Sequence, residues 1–275
     1  MPLNLDSALR GACDTNARAA LAAIARATPG GTVVEVGTSL IVRTGMPVAS
    51  LNPVFALARV RDPERLAAEI RARLVAPQLP WMLVTTPDAR LGLTPVLDSF
   101  GLVRRRVLPV MVLDLEEDLP GAGPPGLQTR RATVPEEVRQ WARTFEQGVD
   151  APPGILTPWV EGLVGPSSAA PAPWQFYVGL VDGAPVATAA RFTSGPIAGV
   201  YFVQTAAAHR RHGYGRALTA AAADARAAGC AVSCLQSTAM GRPLYESMGY
   251  RAISEYEFWQ APGPTDTPAP ARPGL

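Results

Sequence analysis

Lysine is absent from this sequence, and all 25 basic residues of the 275-residue chain are arginine. The absence excludes a Walker phosphate loop, which requires a lysine after its glycine-containing spacer. It also weakens any argument from one arginine, because arginine fills every basic position here. With 23 acidic residues the net charge is +2, so no overall charge attracts nucleic acid. We expect no nucleic-acid partner, and an anion site has to be sought in the local sequence.

Histidine and cysteine are scarce, with two and three residues. Both histidines, His209 and His212, stand in one loop, and the chain has no Gly-x-Ser-x-Gly segment, which argues against a Ser-His-Asp hydrolase. A His-x-x-His pair without a nearby cysteine or carboxylate is a poor metal site, so we predict no metal. Cys230 and Cys234 lie in a predicted strand about 13 Å apart, too far for a disulfide. All three cysteines are expected to be reduced and buried.

Long apolar runs are also missing. The best candidate, residues 197–208, is short and includes polar residues, whereas a membrane-spanning helix needs about 20 apolar residues. The N-terminal stretch is interrupted by Arg10, Asp14 and Arg18, so it lacks the apolar segment of a secretory signal. We therefore expect a cytoplasmic protein without a membrane partner.

Proline and glycine concentrate in two segments. Residues 119–126 are predicted to form a linker and residues 262–275 a disordered tail, because neither composition buries enough apolar surface to offset its chain entropy. Two domains follow from this division, one over residues 1–118 and one over residues 127–261.

The second of these domains shows a regular alternation of elements. Thr133 and Glu136 are predicted to form a capping box before an amphipathic helix, and a second helix begins at Thr157. A hairpin turns at Asp182-Gly183, and a later helix is predicted over residues 215–228 with Gly229 after it. The predicted order is ααβββαβαβ. Residues 1–118 give a similar string, so we interpret the chain as two related copies.

The segment around residues 208–218 is the strongest indication of a binding site. Gly213 and Gly215 allow a tight turn between an apolar strand and an alanine-rich helix, and a helix N-terminus presents unpaired N–H groups and a positive dipole. Residues 184–223 contain no acidic residue, and Arg191, Arg210, Arg211 and Arg216 all fall in this window. This local asymmetry of charge favours a bound phosphate. A Rossmann loop does not fit, because it needs a third glycine in an early βαβ unit.

The pattern Arg210-x-x-Gly213-x-Gly215, followed by Tyr245-x-x-x-Gly249-Tyr250, resembles the GNAT superfamily of acyl-CoA-dependent N-acetyltransferases. The resemblance covers the second domain. It implies an α+β fold with a mixed sheet, here as two tandem GNAT-like domains, each with a mostly antiparallel sheet flanked by helices.

The resemblance also implies acetyl-CoA or another acyl-CoA as cosubstrate. The pyrophosphate would lie on the glycine loop, the pantetheine arm along the strand before it, and Tyr245 near the thioester sulfur as general acid. The implied acyl-CoA contacts are Phe202, Val203, Gln204, Arg210, Arg211, His212, Gly213, Tyr214, Gly215, Arg216 and Ser237.

One departure concerns the general base. Many family members carry a glutamate on the strand before the loop, whereas residues 199–203 read Gly-Val-Tyr-Phe-Val here. Sequence does not rank the alternatives, which are Glu146, Asp150, Glu161, His209, Glu255 and Glu257.

The first domain lacks the corresponding glycine loop and tyrosine. In place of a glycine loop it has Asp62, Pro63 and Glu64, which would repel a pyrophosphate and remove an N–H donor. Leu97 stands four residues before Gly101, where the second domain has its tyrosine. We interpret the first domain as a degenerate copy that packs against the second and walls its acceptor site.

The sequence therefore predicts an acyltransferase that moves an acetyl or similar acyl group to the amine of a small molecule or peptide, acting as a monomer or homodimer. An alternative is a non-catalytic acyl-CoA-binding or scaffold module, which the missing strand carboxylate favours. O-acylation also stays open.

Overall fold

The computed structural model describes residues 5–116, 123–149, 151–164 and 173–262. Residues 119–122 of the predicted linker and 263–275 of the predicted tail lie outside these ranges. The helices are α1 (Leu5–Ala27), α2 (Pro63–Ile70), α3 (Pro87–Arg90), α4 (Thr94–Ser99), α5 (Pro135–Gly148), α6 (Thr157–Val164), α7 (Tyr214–Ala223) and α8 (Arg242–Glu246). The strands of the first half are β1 (Thr32–Val36), β2 (Ser39–Arg43), β3 (Pro53–Ala56), β4 (Met82–Thr85) and β5 (Val103–Asp114). Those of the second half are β6 (Leu127–Ala132), β7 (Trp174–Val181), β8 (Ala184–Ser194), β9 (Ile197–Thr205), β10 (Val232–Gln236) and β11 (Arg251–Gln260).

All strands of the described chain join one eleven-stranded mixed sheet in the order β1-β2-β3-β4-β11-β5-β10-β9-β8-β7-β6. In the first half β1, β2 and β3 pair antiparallel in turn, and β4 then pairs parallel to β3. In the second half β7, β8 and β9 repeat this pattern, with β10 parallel to β9. The mixed sheet and its internal repeat agree with the predicted fold class and duplication.

The two halves exchange their last strands. β5 of the first half pairs antiparallel with β10 of the second half, and β11 of the second half pairs antiparallel with β4 of the first. β5 and β11 also pair with each other at the centre of the sheet. The division at residues 119–126 stays a prediction, and each sequence half completes its sheet with a strand from the other.

Helix α1 ties the halves together on one face of the sheet. Its Asn16 side chain is buried and donates hydrogen bonds to the carbonyl oxygens of Phe192 at 3.1 Å and Ile197 at 3.3 Å, at the turn between β8 and β9. The Tyr201 hydroxyl donates to Asn16 Oδ1 at 2.7 Å. These buried polar groups therefore satisfy one another where this helix of the first half covers strands of the second.

Strand β6 was not predicted from the sequence. Four of its six residues are exposed, so it lacks the alternation of apolar residues that indicates a strand. It is an edge strand that pairs with β7 alone, from Leu127 opposite Val181 to Ala132 opposite Phe176. An edge position with one partner does not require buried side chains.

Helix α5 begins one residue later than the predicted capping box. Pro135 is its first residue, so the N-cap is Val134 and not Thr133. The carboxylate that caps the start of the helix belongs to Glu137. Its Oε2 accepts hydrogen bonds from the backbone N–H of Thr133 at 2.8 Å and of Val134 at 3.4 Å. Glu136 instead forms an ion pair with Arg143 at 2.6 Å.

Helix α7 is shorter than predicted. It ends at Ala223, and Gly229, with φ of +78°, follows a separate 3-10 turn. The guanidinium of Arg191 on β8 donates to the carbonyl oxygens of Ala222 and Asp224. A cation bound to the last carbonyl groups satisfies the helix C-terminus at this earlier point.

Three first-half elements also differ in extent. The strand predicted at residues 55–60 is β3 at Pro53–Ala56, and the helix predicted to Leu74 ends at Ile70 before a wider π-type turn. The helix predicted at residues 91–100 is the shorter α4 at Thr94–Ser99, and the short helix α3 at Pro87–Arg90 was not predicted. Pro87 and Pro95 each take an early helical position, where the missing N–H costs no hydrogen bond.

All three cysteines, Cys13, Cys230 and Cys234, are free and buried, as predicted. Within the described ranges no helix combines the length and apolar content that a membrane crossing requires. Those same ranges contain no group of three or more His, Cys, Asp or Glu side chains arranged for a metal ion.

The exchange of strands predicts that both halves unfold in one transition. Met111 on β5 is fully buried between the two halves, so Met111→Ala should lower the free energy of unfolding by about 2–5 kcal/mol. Scanning calorimetry should show a single unfolding transition, with a midpoint that the substitution lowers. Hydrogen exchange, followed separately in β2 and β8, should show that the substitution lowers the stability of both strands equally. Two resolved transitions, or a shift confined to one strand, would contradict the prediction.

Candidate functional site

Strands β9 and β10 separate after a short parallel stretch. Their pairing covers three residue pairs and ends where Cys234 lies opposite Gly199. Beyond this point β9 stays paired with β8, and β10 stays paired with β5 as far as Gln236 opposite Val110. The two strands therefore enclose a gap at their C-terminal ends.

A β-bulge lies on β9 beside the gap. Ala190 of β8 pairs with Tyr201 and Thr188 with Gln204, so Phe202 and Val203 stand opposite a single residue. Phe202 has φ of +53°, and its carbonyl oxygen accepts from the Thr188 hydroxyl at 3.0 Å. A bulge releases backbone groups from the ladder and bends the strand, which here turns the end of β9 away from β10.

The glycine loop delivers the N-terminus of α7 to the same gap. Gly213 is the N-cap, with φ of +82°, and no side chain caps the helix. Arg211 also lies in the left-handed region, at φ of +66°. The first N–H groups of the helix and the positive end of its dipole are therefore available to an anion.

A cavity of about 560 Å³ extends from the end of β9 over the loop to α8. None of its lining residues is acidic, and four of them are basic: His209, Arg210, Arg211 and Arg216. The other lining residues are Val203, Gln204, Thr205, Gly213, Tyr214, Gly215, Thr238, Met240, Gly241, Leu244 and Tyr245. The structure thus brings together nine of the predicted site residues in one basic cavity.

Three predicted contacts do not line this cavity. The Phe202 ring packs against Trp141, Phe145 and Trp159 in an aromatic cluster on the other side of the strand. His212 is exposed and stacks on Tyr214 with 5.6 Å between ring centroids. Ser237 is buried, and its hydroxyl donates to the Thr238 carbonyl oxygen at 2.9 Å. The cavity geometry gives no support to these residues as cofactor contacts.

Sequence reasoning did not single out five lining residues: Thr205, Thr238, Met240, Gly241 and Leu244. The four later ones follow β10 or lie in α8, next to the predicted Tyr245. The sequence signal that could have identified them was their position directly after a strand of the predicted repeat of strands and helices. A Cβ at Gly241 would lie 3.0 Å from Cε2 of Tyr245, so glycine permits the tyrosine ring to lie close to the backbone there.

The arginines of the acid-free window divide into two groups. Arg191 is buried and bound to the C-terminus of α7, so it does not belong to the cavity. Arg210 donates to the Thr205 carbonyl oxygen at 3.1 Å, and Arg216 donates to the hydroxyl and carbonyl oxygens of Ser247 at 3.0 and 3.2 Å. Arg211 makes no ion pair within the described residues and is free to meet an anion.

Tyr245 lies on α8 at the inner wall of the cavity. Its side chain is almost fully buried, and its ring meets that of Tyr250 edge to face at 5.9 Å. Burial raises the pKa of the Tyr245 hydroxyl, and a hydrogen bond with Thr219 acts in the opposite direction. The hydroxyl therefore holds its proton through the neutral range and can donate it.

Of the six candidate bases, His209 lies in the cavity. Glu146 is buried, and its carboxylate accepts from the backbone N–H of Gly154 at 2.9 Å and of Leu156 at 2.7 Å, which is a structural role. Glu161 pairs with Arg139 through two hydrogen bonds of 2.6 and 2.9 Å.

The remaining candidate bases lie elsewhere. Glu257 is buried between Arg90 and Arg104 at 3.0 and 2.9 Å. Glu255 lies on β11, which β5 and β10 separate from β9. Asp150 lies outside the described residues.

The equivalent place in the first half is closed. β3 and β4 remain paired to their ends, where Ala56 lies opposite Thr85, so no gap opens. Asp62 caps α2 by accepting from the Arg65 N–H at 2.9 Å, which occupies the helix N-terminus with a carboxylate. The turn after α4 repeats the turn after α8: Leu102 N–H donates to the carbonyl of Leu97 at 2.9 Å, as Tyr250 N–H does to Tyr245 at 3.0 Å. Leu97 therefore occupies the position of Tyr245.

Comparison with known proteins agrees with this architecture. Residues 172–252 match the family described as an acetyltransferase (GNAT) domain. A GCN5-related N-acetyltransferase from Kribbella flavida is structurally similar, with a TM-score of 0.66 and 23% identity over 91% of this chain and 95% of that chain. No curated protein matches the sequence.

Two further solved structures share the fold at lower identity. A GCN5-related N-acetyltransferase from Sphaerobacter thermophilus has a TM-score of 0.59 and 16% identity, over 84% of this chain and 83% of that chain. A tandem GNAT protein from the clavulanic acid biosynthesis pathway has a TM-score of 0.53 and 15% identity, over 86% and 85%. These likenesses establish the fold, including its tandem form.

Proposed function

We propose that this chain, whose residues 172–252 match the GNAT acetyltransferase domain family, transfers an acetyl or similar acyl group from CoA to the amine of a small molecule or peptide. The family supports acyl transfer in general, and the acceptor is our inference. The observation that carries the proposal is the uncapped N-terminus of α7, which lies in a basic cavity at the mouth of the gap between β9 and β10.

The cavity fits the chemistry of CoA. A pyrophosphate is anionic and needs N–H donors and positive charge, which the first turn of α7 and the side chain of Arg211 supply. Arg210 and Arg216 are held by hydrogen bonds to neighbouring groups, so they contribute charge from fixed positions. Val203 and Leu244 add apolar wall along the cavity.

Tyr245 is proposed as the general acid. Attack of an amine nitrogen on the thioester carbon forms a C–N bond, the C–S bond then breaks, and the departing thiolate takes the proton of the tyrosine hydroxyl. The amine must also lose a proton. His209 lines the cavity, and its imidazole is the proposed acceptor of this proton.

A non-catalytic acyl-CoA-binding module is the second candidate. One observation favours it, because none of the lining residues is a carboxylate that could serve as the base. The two functions predict the same binding of CoA and differ in turnover.

Gly215→Asp should fold and bind CoA poorly. Gly215 lies in the first turn of α7, where a carboxylate stabilises the helix through its dipole but occupies the place of the pyrophosphate. We expect calorimetry to show CoA affinity lowered by about 10-fold or more. Gly215→Ala is the control, because its Cβ would have ordinary contacts of 3.5 Å to Thr205 and 3.6 Å to Leu244. Unchanged affinity in folded Gly215→Asp would refute the loop assignment.

CoA should bind once per chain, because the gap and the free helix N-terminus occur in the second half and the first half has Asp62 on its helix. Calorimetric titration should saturate at one equivalent. Saturation at two equivalents would show that the first half retains a site and would refute its interpretation as degenerate.

Tyr245→Phe should separate binding from turnover. Loss of the hydroxyl should lower kcat by ~10²–10⁴, the usual contribution of a general acid, while the ring still packs and CoA affinity stays close to that of the wild type. The assay is thiol release from acetyl-CoA, run first against a panel of amines to find an acceptor.

Tyr250→Phe is the matched control for this experiment. Its hydroxyl hydrogen-bonds to Ser233 at 2.7 Å and does not line the cavity, so its loss should cost about 1 kcal/mol of stability and leave kcat unchanged. If Tyr245→Phe turns over at the wild-type rate, Tyr245 has only a packing role. A wild type that binds acetyl-CoA but turns over no acceptor would favour the binding module.

A further inference from the structure

Gln236 is the last residue of β10 and borders the gap between the splayed strands. On one side it pairs with Val110 of β5. On the other side it has no strand partner, because the pairing of β10 with β9 ends two residues earlier at Cys234. Thr238, two residues after Gln236, lines the basic cavity. Gln236 therefore lies at the edge of the gap, two residues from the cavity and not among its lining residues.

The side-chain amide nitrogen of Gln236 is buried and has no hydrogen-bond partner in the described protein. Leaving such a group unpaired forfeits the hydrogen bonds that it makes in water, so buried amides are nearly always hydrogen-bonded. The opposite orientation of the amide would leave its oxygen in the same unpaired position. A ligand that enters the gap can supply the missing partner.

Seven other buried polar atoms of the described residues also lack a hydrogen-bond partner, so the position of Gln236 decides what its amide can do. The indole N–H groups of Trp159 and Trp174 are also without a hydrogen bond. Their rings lie edge to face at 5.3 Å within the packed aromatic cluster, where ring faces can receive an N–H. Gln236 instead lies where β10 has lost its pairing with β9.

The two walls of the gap present different groups. Leu235 packs in the same apolar cluster as Tyr245, whereas Cys234 packs with Cys13 of α1 on the opposite face of the sheet. Because side chains alternate along a strand, Gln236 belongs to the face of Cys234. Tyr245 and Gln236 thus stand on opposite faces, with the gap between them.

We propose that the amide of Gln236 donates a hydrogen bond to the carbonyl oxygen of the acyl thioester, while the sulfur faces Tyr245. This inference rests on the proposed function. A thioester carries both atoms on one carbon, so a group lying in the gap can present oxygen to one face and sulfur to the other. The hydrogen bond polarises the carbonyl and stabilises the negative charge that develops on its oxygen during attack.

The test compares two ligands that differ in this carbonyl. Free CoA lacks it, and the ketone analogue of acetyl-CoA, with a methylene in place of sulfur, keeps it and cannot be cleaved. For Gln236→Met, which preserves length without a donor, calorimetry should show affinity for the ketone lowered about 5–15-fold, as for loss of one hydrogen bond. Affinity for CoA should stay within about twofold, since no contact to it is removed. Gln128→Met, on the exposed edge strand β6, is the matched control and should change neither affinity.

Stability supplies a second measurement. Because the amide is unpaired in the free protein, Gln236→Met should leave the free energy of unfolding unchanged or raise it. A loss of stability would indicate a structural hydrogen bond and overturn the proposal. Equal losses of affinity for CoA and ketone would place Gln236 on the pantetheine arm, and no loss for either would remove it from the site. Both results overturn the inference and leave the proposed function standing, whereas a wild type that binds neither ligand overturns both.

Discussion

The antiparallel pairing of β5 with β10 is the interaction on which the candidate site depends. β9 can leave β10 after Gly199 because each strand keeps its other neighbour: β8 holds β9, and β5 holds β10 as far as Gln236. β5 comes from the first half of the chain. The first half thus supplies the strand that pairs with β10 beside the gap, and the unpaired strand edges at the gap result from this arrangement.

The two halves share a topology but differ in chemistry at one helix N-terminus. α7 begins after Gly213 and leaves its first N–H groups free, whereas α2 begins after Asp62, whose carboxylate already accepts one of them. The parallel strands β9 and β10 beside α7 separate, whereas β3 and β4 beside α2 stay paired as far as Ala56. Since an anion needs both space and donors, we expect it to bind in the second half and not in the first.

Not every arginine of the acid-free stretch of sequence contributes charge to the cavity. Arg191 belongs to the same acid-free stretch of sequence as Arg210, Arg211 and Arg216, yet it is buried at the opposite end of α7 and satisfies its last carbonyl groups. The positive charge thus acts at both ends of the helix: the arginine at the C-terminus compensates the negative end of the dipole, and the loop at the N-terminus leaves the positive end to a ligand.

The sequence by itself determined what depends on neighbouring residues: the glycine loop before α7, the turn at Asp182-Gly183, the hydrophobic face of α5, and the repeat of strands and helices in both halves. Local backbone preferences and periodic apolar residues are sufficient for these features. Tertiary structure decided the rest. Four features depend on contacts between segments far apart in the chain. They are the exchange of β5 and β11, the pairing of the polar edge strand β6, the position of Arg191 and Phe202 outside the cavity, and the unpaired amide of Gln236. Such contacts follow from how buried surfaces and hydrogen-bonding edges are matched across the whole sheet, which no local pattern records.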